Sequence, residues 1–136
     1  MNNLQNISSL AGRVLMVGIF LVSGFGKLTQ YAGTQAYMAA AGVPASLLPL
    51  VIALEIGGGL AIAIGWKTRW AALALAGFSI VSAVLFHANF ADQMQSILFM
   101  KNLAMAGGFL VLFANGPGAL SIDARLATPE IRRTTP

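Results

Sequence analysis

Cysteine is absent from these 136 residues and charge is scarce: eight Lys and Arg, four Asp and Glu, one His. Without a thiol the chain builds no disulfide, thiolate metal site, iron–sulfur cluster or thiol relay. With one histidine it offers a haem a single imidazole, so a bis-histidine haem within one chain is excluded. Charged residues are 9% of the total, where soluble domains carry about 25%. Hydrophobic residues are 57%, and mean hydropathy is +0.79. Such a chain cannot cover itself with a water-facing surface; its partner is the lipid bilayer. The formal net charge of +4 does not change this. The cations form no basic patch with interleaved aromatics, so no nucleic-acid partner is expected, and they read instead as contacts for anionic headgroups and as topology signals.

A helix crosses the hydrocarbon core in about 20 mostly apolar residues. Four stretches qualify, Leu10 to Leu28, Leu47 to Trp66, Trp70 to Phe90 and Ile97 to Asn115, so the expected fold is an all-α membrane protein, a bundle of four transmembrane helices. Gly33, Gly42 and Pro44 interrupt the longest loop. Lys67-Thr68-Arg69 makes a tight charged turn, Asp92 to Gln95 is polar, and Gly116-Pro117-Gly118 ends the last helix because proline cannot continue it. The first stretch is not read as a cleaved leader, since about a dozen polar or small residues separate it from Ala39-Ala40-Ala41. Residues 1–127 then form the membrane domain. Ala119 to Leu126 is a candidate short surface helix, and residues 128–136 a short disordered cytoplasmic tail.

Four spans place both termini and the middle turn on one side, together with Arg13, Lys67, Arg69, Arg125, Arg132 and Arg133. The opposite loops contain no Lys or Arg, so the positive-inside rule makes both termini cytoplasmic. Trp66 and Trp70 flank the middle turn as interfacial anchors.

Arg13, Lys27, Glu55, His87, Lys101 and Asn102 fall inside the spans. A charge at a helix centre costs about 2.5 to 3.5 kcal/mol, whereas a Leu returns only about 0.5. These side chains should therefore face the bundle interior and find partners. With about 1.5 Å of rise per residue, Glu55 lies about 12 Å below the outer end of its helix, Lys101 about 6 Å and His87 about 4 to 5 Å. Side chains lean toward the N-terminus of their own helix, so Glu55 leans outward as Lys27 and His87 lean inward. A cluster of Glu55, Lys27, Lys101 and His87 is expected in the outer half of the bilayer. Arg13 shares a helix face with Lys27 but lies at the cytoplasmic end, where Asp123 is its candidate partner; both are expected to be structural polar residues.

Each residue also has a plainer reading. Lys27 and Arg13 can snorkel to the headgroups, Glu55 can form a structural ion pair, and His87 can be a hydrogen-bonded interfacial side chain. Gly57-Gly58-Gly59 and Gly107-Gly108 lie within apolar spans and not after a strand, which favours close helix packing over phosphate binding. No metal-ligand spacing is present.

The combination is nevertheless specific. Arg13 with Phe20-Leu21-Val22-Ser23-Gly24-Phe25-Gly26-Lys27, then Gly42-Val43-Pro44, Glu55 with the three glycines, His87, Lys101-Asn102-Leu103 and Ser121-Ile122-Asp123 resembles the DoxX family of small four-helix membrane proteins, from Arg13 to about Leu126. The resemblance implies a multi-pass protein of the bacterial inner membrane. It also implies an oxidoreductase role, because relatives include the small quinone-linked subunit of a thiosulfate-oxidising enzyme. It does not imply that every member transfers electrons. Its polar positions coincide with those selected by membrane cost.

The expectation is a membrane oxidoreductase subunit linked to the quinone pool, with quinone as the candidate cofactor. Lys27, Lys101 or Asn102 would donate to a quinone carbonyl while Glu55 and His87 relay protons, and a redox partner protein or a bound cofactor would supply the electrons. The alternative is a non-catalytic binding or assembly factor for a lipid or partner protein, or a homo-oligomer. A small transporter is disfavoured by the little room inside four short helices.

Overall fold

The computed structural model describes residues 2–127. Its helices are α1 (Asn3–Thr29), α2 (Tyr31–Ala40), α3 (Leu48–Ala53), α4 (Gly59–Ile64), α5 (Thr68–Phe86) and α6 (Gln93–Asn115). A 3-10 turn (Ala45–Leu47) opens α3, and a π turn (Leu54–Gly58) joins α3 to α4, so residues Ala45–Ile64 run as one span. Four helices are long and apolar enough to cross a membrane, as composition required. Their outward faces carry large apolar side chains such as Leu15, Val22, Trp70, Val84 and Val111.

The boundaries shift for identifiable reasons. α1 begins seven residues before Leu10 because Asn2 and Gln5 form a reciprocal capping box that satisfies the orphan amides of the first turn. The second span stops at Ile64 because Gly65 turns left-handed at φ +75°. α5 ends at Phe86, so His87 caps it instead of lying within it. α6 starts at Gln93 because the Asp92 carboxylate accepts from the Met94 amide at 2.9 Å.

The stretch expected to be the longest loop contains the ten-residue helix α2. Met38 of α2 is buried against Leu48 and Ile52, with Val43, Ile56 and Phe86 alongside. A second, larger core lies toward the termini, where Val17, Phe20, Ile62, Leu75 and Phe109 are buried together. The Phe20 ring meets Phe109 and Phe78 edge to face at 5.4 and 6.3 Å, an arrangement that aromatic quadrupoles favour.

Glycine allows the closest approaches. A Cβ on Gly24 would stand 2.5 Å from Ile56 Cγ1, and one on Gly59 2.9 Å from Leu21 Cδ2, so α1 meets the second span backbone to side chain. Gly58 faces Leu75 and Gly108 faces Met16, whereas Gly57 and Gly107 face open space. The packing role thus belongs to Gly58 and Gly59 of the first run and to Gly108 of the second, not to every member.

The residues at the terminal end form a polar knot. Ser121 to Asp123 folds back on the middle turn, and residues 122–127 make a short helix. Arg13, 2% exposed, donates to the carbonyls of Ile62 and Ala63 at 2.8 and 3.1 Å and to that of Leu120. The Asp123 carboxylate accepts from the amides of Lys67 and Thr68 at 2.8 and 2.9 Å. The cation therefore sits on the carbonyl end of α4 and the anion on the amide end of α5, each favoured by the helix dipole. The direct Arg13–Asp123 pair expected from the sequence is not formed. Each group finds a nearer backbone partner, although the Arg13 charge still acts on Asp123 through space. The disordered tail expected at residues 128–136 lies outside the described residues.

Candidate functional site

In the half of the bundle away from the termini the helices enclose a cavity of about 380 Å³. Lys27, Glu55, His87, Lys101 and Asn102 all line it, contributed by α1, the π turn, the end of α5 and α6. Its remaining wall is mostly apolar, with Phe20 and Phe78 among the lining residues. The serines at 23, 79 and 82 add hydroxyl groups.

Glu55 anchors the arrangement. It is 3% exposed and stands in the π turn, where the helix is widened by one residue, a distortion that recurs at functional sites. Lys27 Nζ lies 3.0 and 3.1 Å from its two carboxylate oxygens and donates to Ser23 Oγ at 2.6 Å. The ammonium thus has three acceptors for its three hydrogens. Among the described residues this is the one ion pair. Gly24 makes it geometrically accessible, since a Cβ there would also be 3.4 Å from Glu55 Cβ. In the sequence Gly24 stands within the Phe20 to Lys27 motif, three residues before Lys27, and that spacing is the one signal of this role.

Asn102 is 5% exposed and donates through Nδ2 to the Ser79 carbonyl at 3.2 Å. Ser79 Oγ in turn donates to Leu75 O at 2.8 Å, which leaves the Ser79 carbonyl free of its hydroxyl. Asn102 retains a second amide hydrogen and its oxygen for a ligand. Lys101 lines the same cavity, and among the described residues no hydrogen bond or ion pair reaches its ammonium. Because α6 begins early, Lys101 lies about 12 Å below its start, twice the depth expected from the sequence.

His87 takes the opposite correction. It stands just beyond α5, with Nδ1 2.9 Å from Gln95 Oε1. With the oxygen accepting, Nδ1 carries the hydrogen and Nε2 of the neutral ring accepts. The four-residue cluster is therefore distributed. Lys27 and Glu55 touch directly, whereas His87 and Lys101 share their cavity without a hydrogen bond or ion pair to them. No group of three or more metal-ligating side chains occurs among the described residues.

Chemically, the cavity offers a fixed carboxylate–ammonium pair, an unengaged ammonium, an amide with spare donor and acceptor capacity, and an imidazole at its outer end. A ligand that fits has an apolar body and a compact polar group accepting hydrogen bonds.

The comparisons with known proteins agree with this architecture. The DoxX family model matches residues 8–88, more than half of the chain. The chain is 55% identical to the inner membrane protein YqjF of Escherichia coli (strain K12) over 126 residues, 93% of this chain and 97% of that protein. It is 36% identical to the inner membrane protein YphA of the same organism over 124 residues, 85% and 88% of the two chains. No solved structure matches. With its four spans and this matching stretch, the chain belongs to the DoxX family and is a multi-pass protein of the bacterial inner membrane.

Proposed function

We propose that this protein is the membrane subunit of a quinone-linked oxidoreductase and that the cavity holds the quinone ring. The single observation carrying this reading is the convergence of five polar side chains, four from three of the spans and His87 from the cap of α5, on one apolar-walled cavity of about 380 Å³. That volume lies at the small end of the roughly 300 to 1,000 Å³ typical of ligand pockets, room for a ring and its substituents.

The roles follow from what each group has left to give. Lys101 and Asn102 donate to the ring carbonyls, because both keep free donors. Lys27 instead holds Glu55 in place, since Glu55 and Ser23 take its hydrogens. Glu55 and His87, both on the cavity wall, relay protons. A bound quinone accepts two electrons and two protons; the electrons come from a partner protein or its cofactor, because the chain has no cysteine and one histidine. The positive-inside rule places the termini in the cytoplasm, with Lys67, Arg69 and Arg125 beside them, and the cavity in the other half of the bilayer.

The test is purification in native lipid discs, with mass spectrometry of bound small molecules for wild type, Glu55→Gln and Lys101→Met. A quinone held by wild type and depleted in both variants is expected, with Lys101→Met melting at the wild-type temperature and Glu55→Gln still folded. A wild type that carries no quinone and binds none when it is added overturns the reading. A stably bound lipid or partner protein in its place would make the cavity a non-catalytic binding or assembly site.

A further inference from the structure

Resting on that reading, the geometry points to the route and the ligand class: a quinone with a long isoprenoid tail that enters sideways from the bilayer and leaves its tail projecting between α1 and α5. Ile19, Val81 and Leu85 line the cavity, yet they are 42%, 56% and 47% exposed. Val81 and Leu85 are one turn apart on the same face of α5, and Ile19 is on α1. The cavity wall therefore runs continuously onto surface that lies well inside two membrane spans. An opening there meets acyl chains, not water, and admits only a lipid-soluble molecule.

The other approach, along the membrane normal from the end remote from the termini, is partly roofed, with Tyr37 and Leu47 of the lining 54% and 43% exposed. Tyr37 of α2 stacks on Phe86 at 5.2 Å and 15°. Met38 is 4% exposed, wedged against Leu48 and Ile52, while Gln95 occupies His87 Nδ1. This roof explains why the loop after α1 folds as a helix with a buried methionine.

Polarity fixes which end of the ligand leads. The ionic and amide groups, Glu55, Lys27 and Asn102, are buried or half-buried on the inner walls, and the residues at the window are aliphatic. The polar ring goes in first. A cavity of about 380 Å³ holds the ring but not a polyprenyl chain, so the tail stays in the window.

The experiment measures binding of two probes to the full chain in lipid discs, an isoprenoid-tailed ubiquinone and its tail-less benzoquinone parent. Ile19→Trp and Val81→Trp are compared with Val111→Trp, a substitution at an exposed position of α6 outside the cavity. Ile19→Trp and Val81→Trp should weaken the tailed probe by about tenfold or more while binding of the tail-less probe and the melting temperature stay at wild-type values; Val111→Trp should change neither. Equal weakening of both probes, or indifference of both to positions 19 and 81, overturns lateral access and leaves the quinone site standing. Failure of wild type to bind either probe overturns the quinone reading and the route with it.

Discussion

Lys27 Nζ reaches both carboxylate oxygens of Glu55, at 3.0 and 3.1 Å, from 28 positions earlier in the chain, and ties the C-terminal end of α1 to the middle of the second span. The pair does two things at once. It satisfies a carboxylate that is 3% exposed within a hydrocarbon-embedded bundle, and it fixes the polar wall of the cavity.

Breaking this pair should be worse than removing it. Lys27→Met leaves a buried carboxylate unpaired, which costs about 3 kcal/mol. Lys27→Met combined with Glu55→Gln should recover part of that loss, because no uncompensated charge remains. Thermal unfolding in detergent of the two single variants and the double variant checks this; additive losses would mean that the groups are not coupled.

Gly24 controls the approach that makes the pair. Gly24→Ala puts a methyl 2.5 Å from Ile56 Cγ1, so α1 and the π turn must separate or Ile56 must turn away. A destabilisation of about 1 to 3 kcal/mol is expected, accompanied by weaker quinone binding. A melting curve and a binding isotherm of the variant test both effects. Gly107→Ala, where a Cβ meets nothing within 4 Å, should instead stabilise by about 0.5 to 1 kcal/mol through helix propensity.

Gly65 should tolerate no side chain. It sits at φ +75°, and a Cβ there would fall 2.3 Å from Ser121 Cβ and 2.8 Å from Arg13 Nη1. Gly65→Ala is expected to lose at least about 2 kcal/mol and to free the 116–127 segment. Faster proteolysis after Gly116, followed by mass spectrometry, reports that release.

The same knot carries an acid-sensitive contact. Burial alone would raise the Asp123 carboxyl, but the Thr68 and Lys67 amides that donate to it and the Arg13 charge outweigh burial and hold it below the ordinary carboxylate value. A depressed folded-state value means that the contact stabilises fully above the unfolded value of about 4 and is lost as pH falls through the lower folded value. Melting temperature followed from neutral pH to below about 3 should fall less steeply in Asp123→Asn than in wild type. Identical slopes would remove Asp123 from the acid response.

Hydropathy and membrane cost made much of the protein legible. Four spans followed from apolar runs, and Lys27, Glu55, His87, Lys101 and Asn102 stood out because each is costly inside lipid. Hydropathy does not say which partner each polar group takes. Asp123 was matched with Arg13 by charge and position, but main-chain amides and carbonyls at the helix ends compete for both groups, and single-sequence patterns do not show which end a folded tail will meet. Gly33, Gly42 and Pro44 signal a loop, yet Tyr31–Ala40, Gly33 included, forms a helix by burying Met38 against the second span.

The amino-acid sequence by itself determined that this chain lives in a bilayer, that it crosses it four times, and which polar residues are carried in. Those are local properties, set by composition over about 20 residues. Only the tertiary structure decided that Glu55 takes Lys27 while Lys101 stays unengaged, that Gly24 and Gly65 are among the glycines without spare room, and that Ile19 and Val81 line one cavity. These depend on helix order, rotation and close approach, which arise when distant segments exclude lipid from one another.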